Sequence, residues 1–473
     1  MLVSIRLVIV LALVVASCSA TRDSADEVLA PSSPELIGPP AGSGLIDTSG
    51  SALPVAPPVP TGPLDEDSVA ALERVWEAFT TQVDPADVID IGDTGDARLA
   101  WLLSDVLRFF QGGVVGEAAV EAFDRLTGAS VSSSGVRSQW RKLTDLLIAW
   151  DLEAPPGYAA YKERLFTLVD PGWAPFFADP EAEVDWRLVS WGGVLIDDRE
   201  LGDPDPCVRG CIPALDDPPV TDAAGGDWHP DDRVVFAVEI NGETRAYPKN
   251  MMEVHEMVND TLGGRRIGMP YCTLCGSAQA FFIDEVPAGA ENFVLRTSGL
   301  LARSNKVMYE LNSQSMLDTF LGVALTGPLR AEGVVLTPVT VVTTTWGDWK
   351  TAHPETTIVV QDGGRGIDYP ADPLRGRDDD GPIFPIGDVD PRLDVQTLIL
   401  GLVNPDGVPI AFPVEAARKR LAAGGTIALA GVELLFDGGG LIATLEDGSP
   451  MVTHQSFWFA WSQFRPDTLV WQP

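Results

Sequence analysis

The stretch Val234-Val235-Phe236-Ala237-Val238-Glu239-Ile240-Asn241-Gly242-Glu243-Thr244-Arg245-Ala246-Tyr247-Pro248 decides the fold class. A run rich in valine meets Asn-Gly, two residues that both tolerate positive φ, and the chain then returns through Thr244 to Ala246-Tyr247-Pro248; this is the signature of a β-hairpin. Asn250 to Val258 behind it reads as a short helix. The same succession recurs further on, where Ile399-Leu400-Gly401-Leu402-Val403 leads into Asp406-Gly407, then Ala411-Phe412-Pro413, then a helical Val414 to Leu421. Aligned without a gap, Asn241-Gly242 falls on Asp406-Gly407. A duplicated hairpin-plus-helix unit is expected, at about residues 230–285 and 395–440.

Working outward, the texture upstream of Trp186 is helical. Acidic residues at Leu64-Asp65-Glu66-Asp67-Ser68 precede Val69, Leu72, Val75, Trp76 and Phe79 at spacings of three and four, and similar stripes run from Ala97 to Phe110, Val114 to Leu126 and Val136 to Trp150. Their aromatic residues, among them Trp101, Phe109 and Trp150, are expected in a core. The fold class expected is α+β, a helical region over residues 64–185 followed by a β-rich domain over residues 186–473 built from the duplicated unit.

Residues 18–63, rich in Pro, Ser, Gly and Ala, read as a disordered tether. Before them Arg6, the apolar run Leu7 to Val15 and Val15-Ala16-Ser17-Cys18 suit a secretory signal peptide over residues 1–17, too short to stay as a spanning helix. This pattern resembles a bacterial lipobox, which implies that Cys18 becomes the lipidated first residue of an extracytoplasmic, membrane-anchored protein. With a net charge of −36 the chain repels phosphate backbones and anionic headgroups, so nucleic acid is excluded as a partner and membrane contact is left to the lipid. No later stretch is long and apolar enough to span a bilayer.

The remaining cysteines fall in two close pairs, Cys207/Cys211 and Cys272/Cys275, the second in Tyr271-Cys272-Thr273-Leu274-Cys275-Gly276. Three readings of Cys272 and Cys275 stand. As a redox pair they would make the chain a thiol–disulfide oxidoreductase working with a redox partner protein, His255 serving as base or proton donor and Glu256 or Asn259 orienting it. As a metal site, Cys272, Cys275 and His255 would hold zinc or copper, Cys207 or Cys211 supplying a fourth ligand. As a structural disulfide they would belong to a binding or scaffold lipoprotein. Cys207 and Cys211, in a Gly/Pro-rich loop, are expected to form a disulfide of their own. The scattered His229, His353 and His454 are expected in turn, cap or packing roles, and Asp378-Asp379-Asp380 as a solvated face. In the gapless alignment His255 falls on Arg420, and Cys272 and Cys275 on Asp437 and Gly440, so the special chemistry belongs to the first unit.

These signatures together resemble the bacterial family known as domain of unknown function 3179. The resemblance runs from Gly157-Tyr158 and Val184-Asp185-Trp186 through Ile212-Pro213-Ala214-Leu215, Ala246-Tyr247-Pro248, His255 to Asp260 and Tyr271 to Ala278. It continues through Ser298-Gly299-Leu300 to Tyr309, Trp346 to Pro354 and Phe457-Trp458-Phe459-Ala460-Trp461. Members of that family carry selenocysteine in the motif matching Cys272 to Cys275, which implies redox work at this pair, with Cys272 attacking and Cys275 resolving by analogy with other Cys-x-x-Cys sites. The chain departs from the family at Glu310 and Ser315-Met316-Leu317, where an aspartate and a Ser-Leu-Trp run are usual.

Overall fold

A computed structural model describes residues 36–37, 45–286, 293–377 and 381–473. Residues 1–35, and with them the signal peptide, Cys18 and the start of the tether, lie outside the described residues, as do Asp378-Asp379-Asp380. From residue 45 onward the tether is held on the folded body. The Ile46 carbonyl accepts from Val389 N at 3.1 Å, Trp150 Nε1 donates to the Pro54 carbonyl at 2.7 Å, and Arg98 Nη1 to that of Gly62 at 2.8 Å. Proline-rich chain lacks a core of its own, but its carbonyls remain good acceptors.

The helical region contains Glu66–Ala78, Pro85–Asp93, Ala100–Phe109, Gly113–Thr127, Val136–Ala149 and Tyr158–Val169. The acidic run before the first helix serves as its cap, the Asp65 carboxylate accepting from Ser68 N at 2.7 Å. The helix Pro85–Asp93 packs so closely on Gly113–Thr127 that a Cβ at Gly92 would lie 2.6 Å from Ala122 Cα. The helices share one core with Val189, Leu300, Tyr309 and Met316 of the β-rich part, so no gap in packing divides the chain near residue 186.

The β-rich part holds five sheets of four to six strands in a propeller-like arrangement, and the molecule is α+β overall. Two five-stranded sheets have the same plan. In one the order is Val342–Thr345, Val234–Ile240, Glu243–Pro248, Thr357–Val359, Val220–Asp222; in the other it is His454–Phe457, Leu398–Val403, Pro409–Pro413, Leu469–Trp471, Leu36–Ile37. Each has a single parallel contact, between its third and fourth strands, with Ala246 beside Ile358 and Ala411 beside Val470. A helix follows the third strand in each, Lys249–His255 or Val414–Ala422, and another, Trp346–Ala352 or Trp458–Ser462, follows the first.

The two hairpins differ at the turn. Asn241 and Gly242 take φ of +52° and +80°, a tight two-residue turn. In the second, Asn404 Oδ1 accepts from Asp406 N at 3.1 Å and Val408 N at 2.9 Å and only Gly407 has positive φ, so the loop is wider. Val235 faces Pro248 whereas Ile399 faces Pro413, one residue more between partners, so the gapless alignment holds for the outgoing strands and slips by one on the incoming ones. No helix among the described residues is long and apolar enough to cross a membrane.

Candidate functional site

The strand Arg265–Cys272 ends in a 3-10 turn, Thr273–Cys275, and returns antiparallel as Ser277–Ala278, with Cys272 facing Ser277. The reversal needs Gly276, whose φ is +59° and whose Cβ would meet the Phe457 ring at 3.1 Å. Cys272 and Cys275 are joined as a disulfide with Cα atoms 5.3 Å apart, a normal span. The pair is 5% and 0% exposed and packs in one apolar cluster with Phe320, Trp458 and Trp461. The Ser304 carbonyl oxygen stands 3.8 Å from Cys272 Sγ and 3.4 Å from Cys275 Sγ, presented by a turn in which Arg303 and Ser304 both have positive φ.

Glu256, left-handed at the end of the helix Lys249–His255, is brought to this turn. Its carboxylate accepts from Thr273 Oγ1 at 3.0 Å and from Lys306 Nζ at 3.1 Å, and its own carbonyl accepts from Lys306 at 2.7 Å. Lys306 is 4% exposed, and this burial pushes its ammonium pKa down while Glu256 pulls it back up. Glu256, Thr273, Leu274 and Lys306 line a cavity of about 220 Å³.

His255 is not turned to the sulfurs. Its Nδ1 lies 2.6 Å from the Pro213 carbonyl and its Nε2 2.7 Å from Tyr369 Oη, and burial pushes its pKa down to about 4. Both nitrogens are committed, which corrects its expected role as base and dismantles the ligand set of Cys272, Cys275 and His255. Asn259 is likewise engaged elsewhere, donating to Asp216 Oδ1 and the Leu295 carbonyl at 3.0 Å and accepting from Leu295 N at 2.9 Å. It joins strands and does not orient an imidazole.

The imidazole that does approach the cysteine turn is His454, whose Nε2 lies 2.5 Å from Ser277 Oγ, the residue opposite Cys272. Burial pushes its pKa down to about 3, and the Phe320 ring packs 4.3 Å away. Its one signal in the sequence is its position just ahead of Phe457-Trp458-Phe459-Ala460-Trp461.

Cys207 and Cys211 are joined as well, Cα atoms 5.3 Å apart. With Asp197 they form the only group among the described residues whose three donor atoms lie within 4.8 Å of one another. It is a poor fit for an ion, since the Asp197 carboxylate already accepts from Arg199 at 2.6 and 2.8 Å and from Ala214 N at 2.9 Å.

These elements define a buried cysteine turn in a β-rich architecture, joined through Thr273 to a Glu256–Lys306 ion pair drawn from two other segments. Residues 209–440 match the family described as Protein of unknown function (DUF3179), and this part of the chain belongs to that family. The match takes in Cys211, Glu256, Cys272, Cys275 and Lys306 and stops short of His454. No curated protein and no solved structure matches the chain.

Proposed function

We propose that the chain is an extracytoplasmic lipoprotein, anchored through Cys18, whose Cys272–Cys275 disulfide is a reversible redox pair. The observation that carries this reading is the setting of the pair. It closes a loop of about four residues, for which chain entropy predicts only about 2 kcal/mol of stabilisation, against about 4.7 for a 100-residue loop. A staple of so little value is nevertheless joined, through Thr273, to the Glu256–Lys306 pair beside a small cavity.

By analogy with other Cys-x-x-Cys sites, Cys272 is the attacking sulfur. Its thiolate attacks one sulfur of a partner disulfide and expels the other as a thiolate; Cys275 then loses its proton and attacks Cys272 Sγ, releasing the second partner sulfur. Two electrons and two protons pass to the partner, which leaves as a dithiol. Ser277, which faces Cys272 across the turn and meets His454 Nε2, offers a route for the proton.

The near-complete burial of both sulfurs favours a second reading, a purely structural disulfide in a scaffold lipoprotein. Equilibrating the folded protein with graded dithiothreitol ratios, then alkylating and weighing peptides, separates the two. The redox reading expects reduction of Cys272 and Cys275 with the fold retained and Cys272 alkylated first. A pair that stays oxidised until the protein unfolds overturns it.

We propose further that the two five-stranded sheets are copies of one duplicated unit. Their common strand order supports this, and so does a shared sequence, Trp346, Trp349, Pro354 and Thr356 in one and Trp458, Trp461, Pro466 and Thr468 in the other. The indole of Trp349 donates to Thr356 Oγ1 at 3.0 Å and that of Trp461 to Thr468 Oγ1 at 2.7 Å. Neither sheet carries the cysteine turn, which extends from the six-stranded sheet; the second copy serves as scaffold and covers that turn with Trp458 and Trp461. Trp461→Phe, which removes that bond and leaves a smaller aromatic ring, is then expected to lower stability as much as Trp349→Phe does in parallel urea titrations; a large disparity counts against equivalence.

A further inference from the structure

A cavity of about 540 Å³ lies away from the sulfurs, between the loop Trp228–Arg233, the helix Lys249–His255 and the segment Gln361–Gly376. Its size falls within the roughly 300–1,000 Å³ of small-molecule sites. Nine buried side-chain polar atoms among the described residues lack a hydrogen-bond partner, and three belong to residues of this one wall: Trp228 Nε1, His229 Nε2 and Asn250 Oδ1. Buried polar groups are normally satisfied, so a cluster of orphans at a cavity marks groups that a ligand completes.

Their chemistry narrows the ligand. The other ring nitrogen of His229 is engaged by the Val234 backbone in a contact that favours a proton there, which leaves Nε2 as an acceptor. The Asn250 amide donates to the Pro370 carbonyl at 3.2 Å, which fixes Oδ1 as the free acceptor, and the indole N–H only donates. The site thus asks for a ligand that both gives and receives hydrogen bonds. Asp232, Glu253, Asp368 and Asp372 outnumber Arg233 and Lys249, and the Lys249 ammonium is 2.9 Å from Glu253, so an anion is repelled. An ammonium donates only and leaves the indole N–H unserved. Hydroxyl groups do both, and Trp228 and Tyr369 in the lining offer aromatic surface for the C–H groups of a pyranose ring.

We infer that this cavity binds a neutral saccharide of one or two units, a site independent of the cysteine chemistry. The full chain would be titrated by calorimetry and saturation-transfer NMR with glucose, galactose, maltose and cellobiose, with spermidine and glucose 6-phosphate as charged probes. The expected result is saturable binding of at least one neutral sugar, weakened tenfold or more in Asn250→Ala and in His229→Phe, each variant first shown by circular dichroism to be folded. Asn250 is only partly buried, so its variant keeps the test open if His229→Phe fails to fold. The inference is overturned if none of the four sugars binds, if spermidine or glucose 6-phosphate binds in their place, or if both variants bind sugar as the unaltered chain does.

Discussion

Lys306→Met puts the charged network beside the cysteine turn to a quantitative test. The Lys306 side chain is 3% exposed and that of Glu256 16%, with Nζ 3.1 Å from Oε2. Methionine keeps the length of the stem and removes the charge, leaving the Glu256 carboxylate with the Thr273 hydroxyl at 3.0 Å and a little solvent. Breaking a buried pair from one side costs about 3–5 kcal/mol, and the remaining hydroxyl places this variant at about 3. Glu256→Gln alone is expected to cost about 2 kcal/mol, because Lys306 retains the residue 256 carbonyl at 2.7 Å. In the double variant neither charge is stranded, and the loss should be about 2 kcal/mol, where simple addition gives about 5. Urea unfolding of the oxidised protein, followed by tryptophan fluorescence, measures all four corners of the cycle. A double variant that falls within about 0.5 kcal/mol of the additive value would refute the coupling and with it the network's part in holding the turn.

Protonation of His255 should cost the fold stability as the pH falls. His255 in the folded state binds its proton only near pH 4, whereas in the unfolded chain it does so near 6.5, so the unfolded state takes up more protons as the pH falls. Stability is full above about pH 6.5 and drops by roughly 3 kcal/mol on this account by pH 4; His255→Gln should flatten the loss, and an unchanged slope would show the ring to be as easily protonated folded as unfolded. Gly276→Ala, at φ +59° and 3.1 Å from Phe457, should cost about 1–3 kcal/mol in the same urea assay and loosen the cysteine turn, whereas Gly407→Ala, with open space around it, should cost only about 1. Cys18→Ser should move the protein from the membrane fraction to the soluble one; full retention would remove the lipid anchor.

Local signals carried most of what the sequence disclosed. The valine run and Asn241-Gly242 specified their hairpin because turn chemistry and alternation act over a few residues, and four of the helical stripes lie where the periodicity puts them. The helix Pro85–Asp93 was not legible because its Gly92, a poor helix former, serves a close approach to Ala122 that only the folded chain reveals. At the site, the cysteine pair and Glu256 were visible as a spacing and a neighbour. His255 looked catalytic because its partners, Pro213 and Tyr369, come from distant segments. Lys306 went unread for the same reason, unremarked inside a quoted motif, and His454 was read only as a turn, cap or packing residue, because its place beside Ser277 arises from tertiary contact.

The pairing of Leu36 with Trp471 and of Ile37 with Val470 has a consequence for biogenesis. These partners are separated by nearly the whole chain, so during synthesis the first strand must wait until the last has been made. The sheet that covers the cysteine turn is also the last to close, because Leu469–Trp471 is its fourth strand. Until then Cys272 and Cys275 lack the cover of Trp458 and Trp461, so the disulfide can form before its lid is in place.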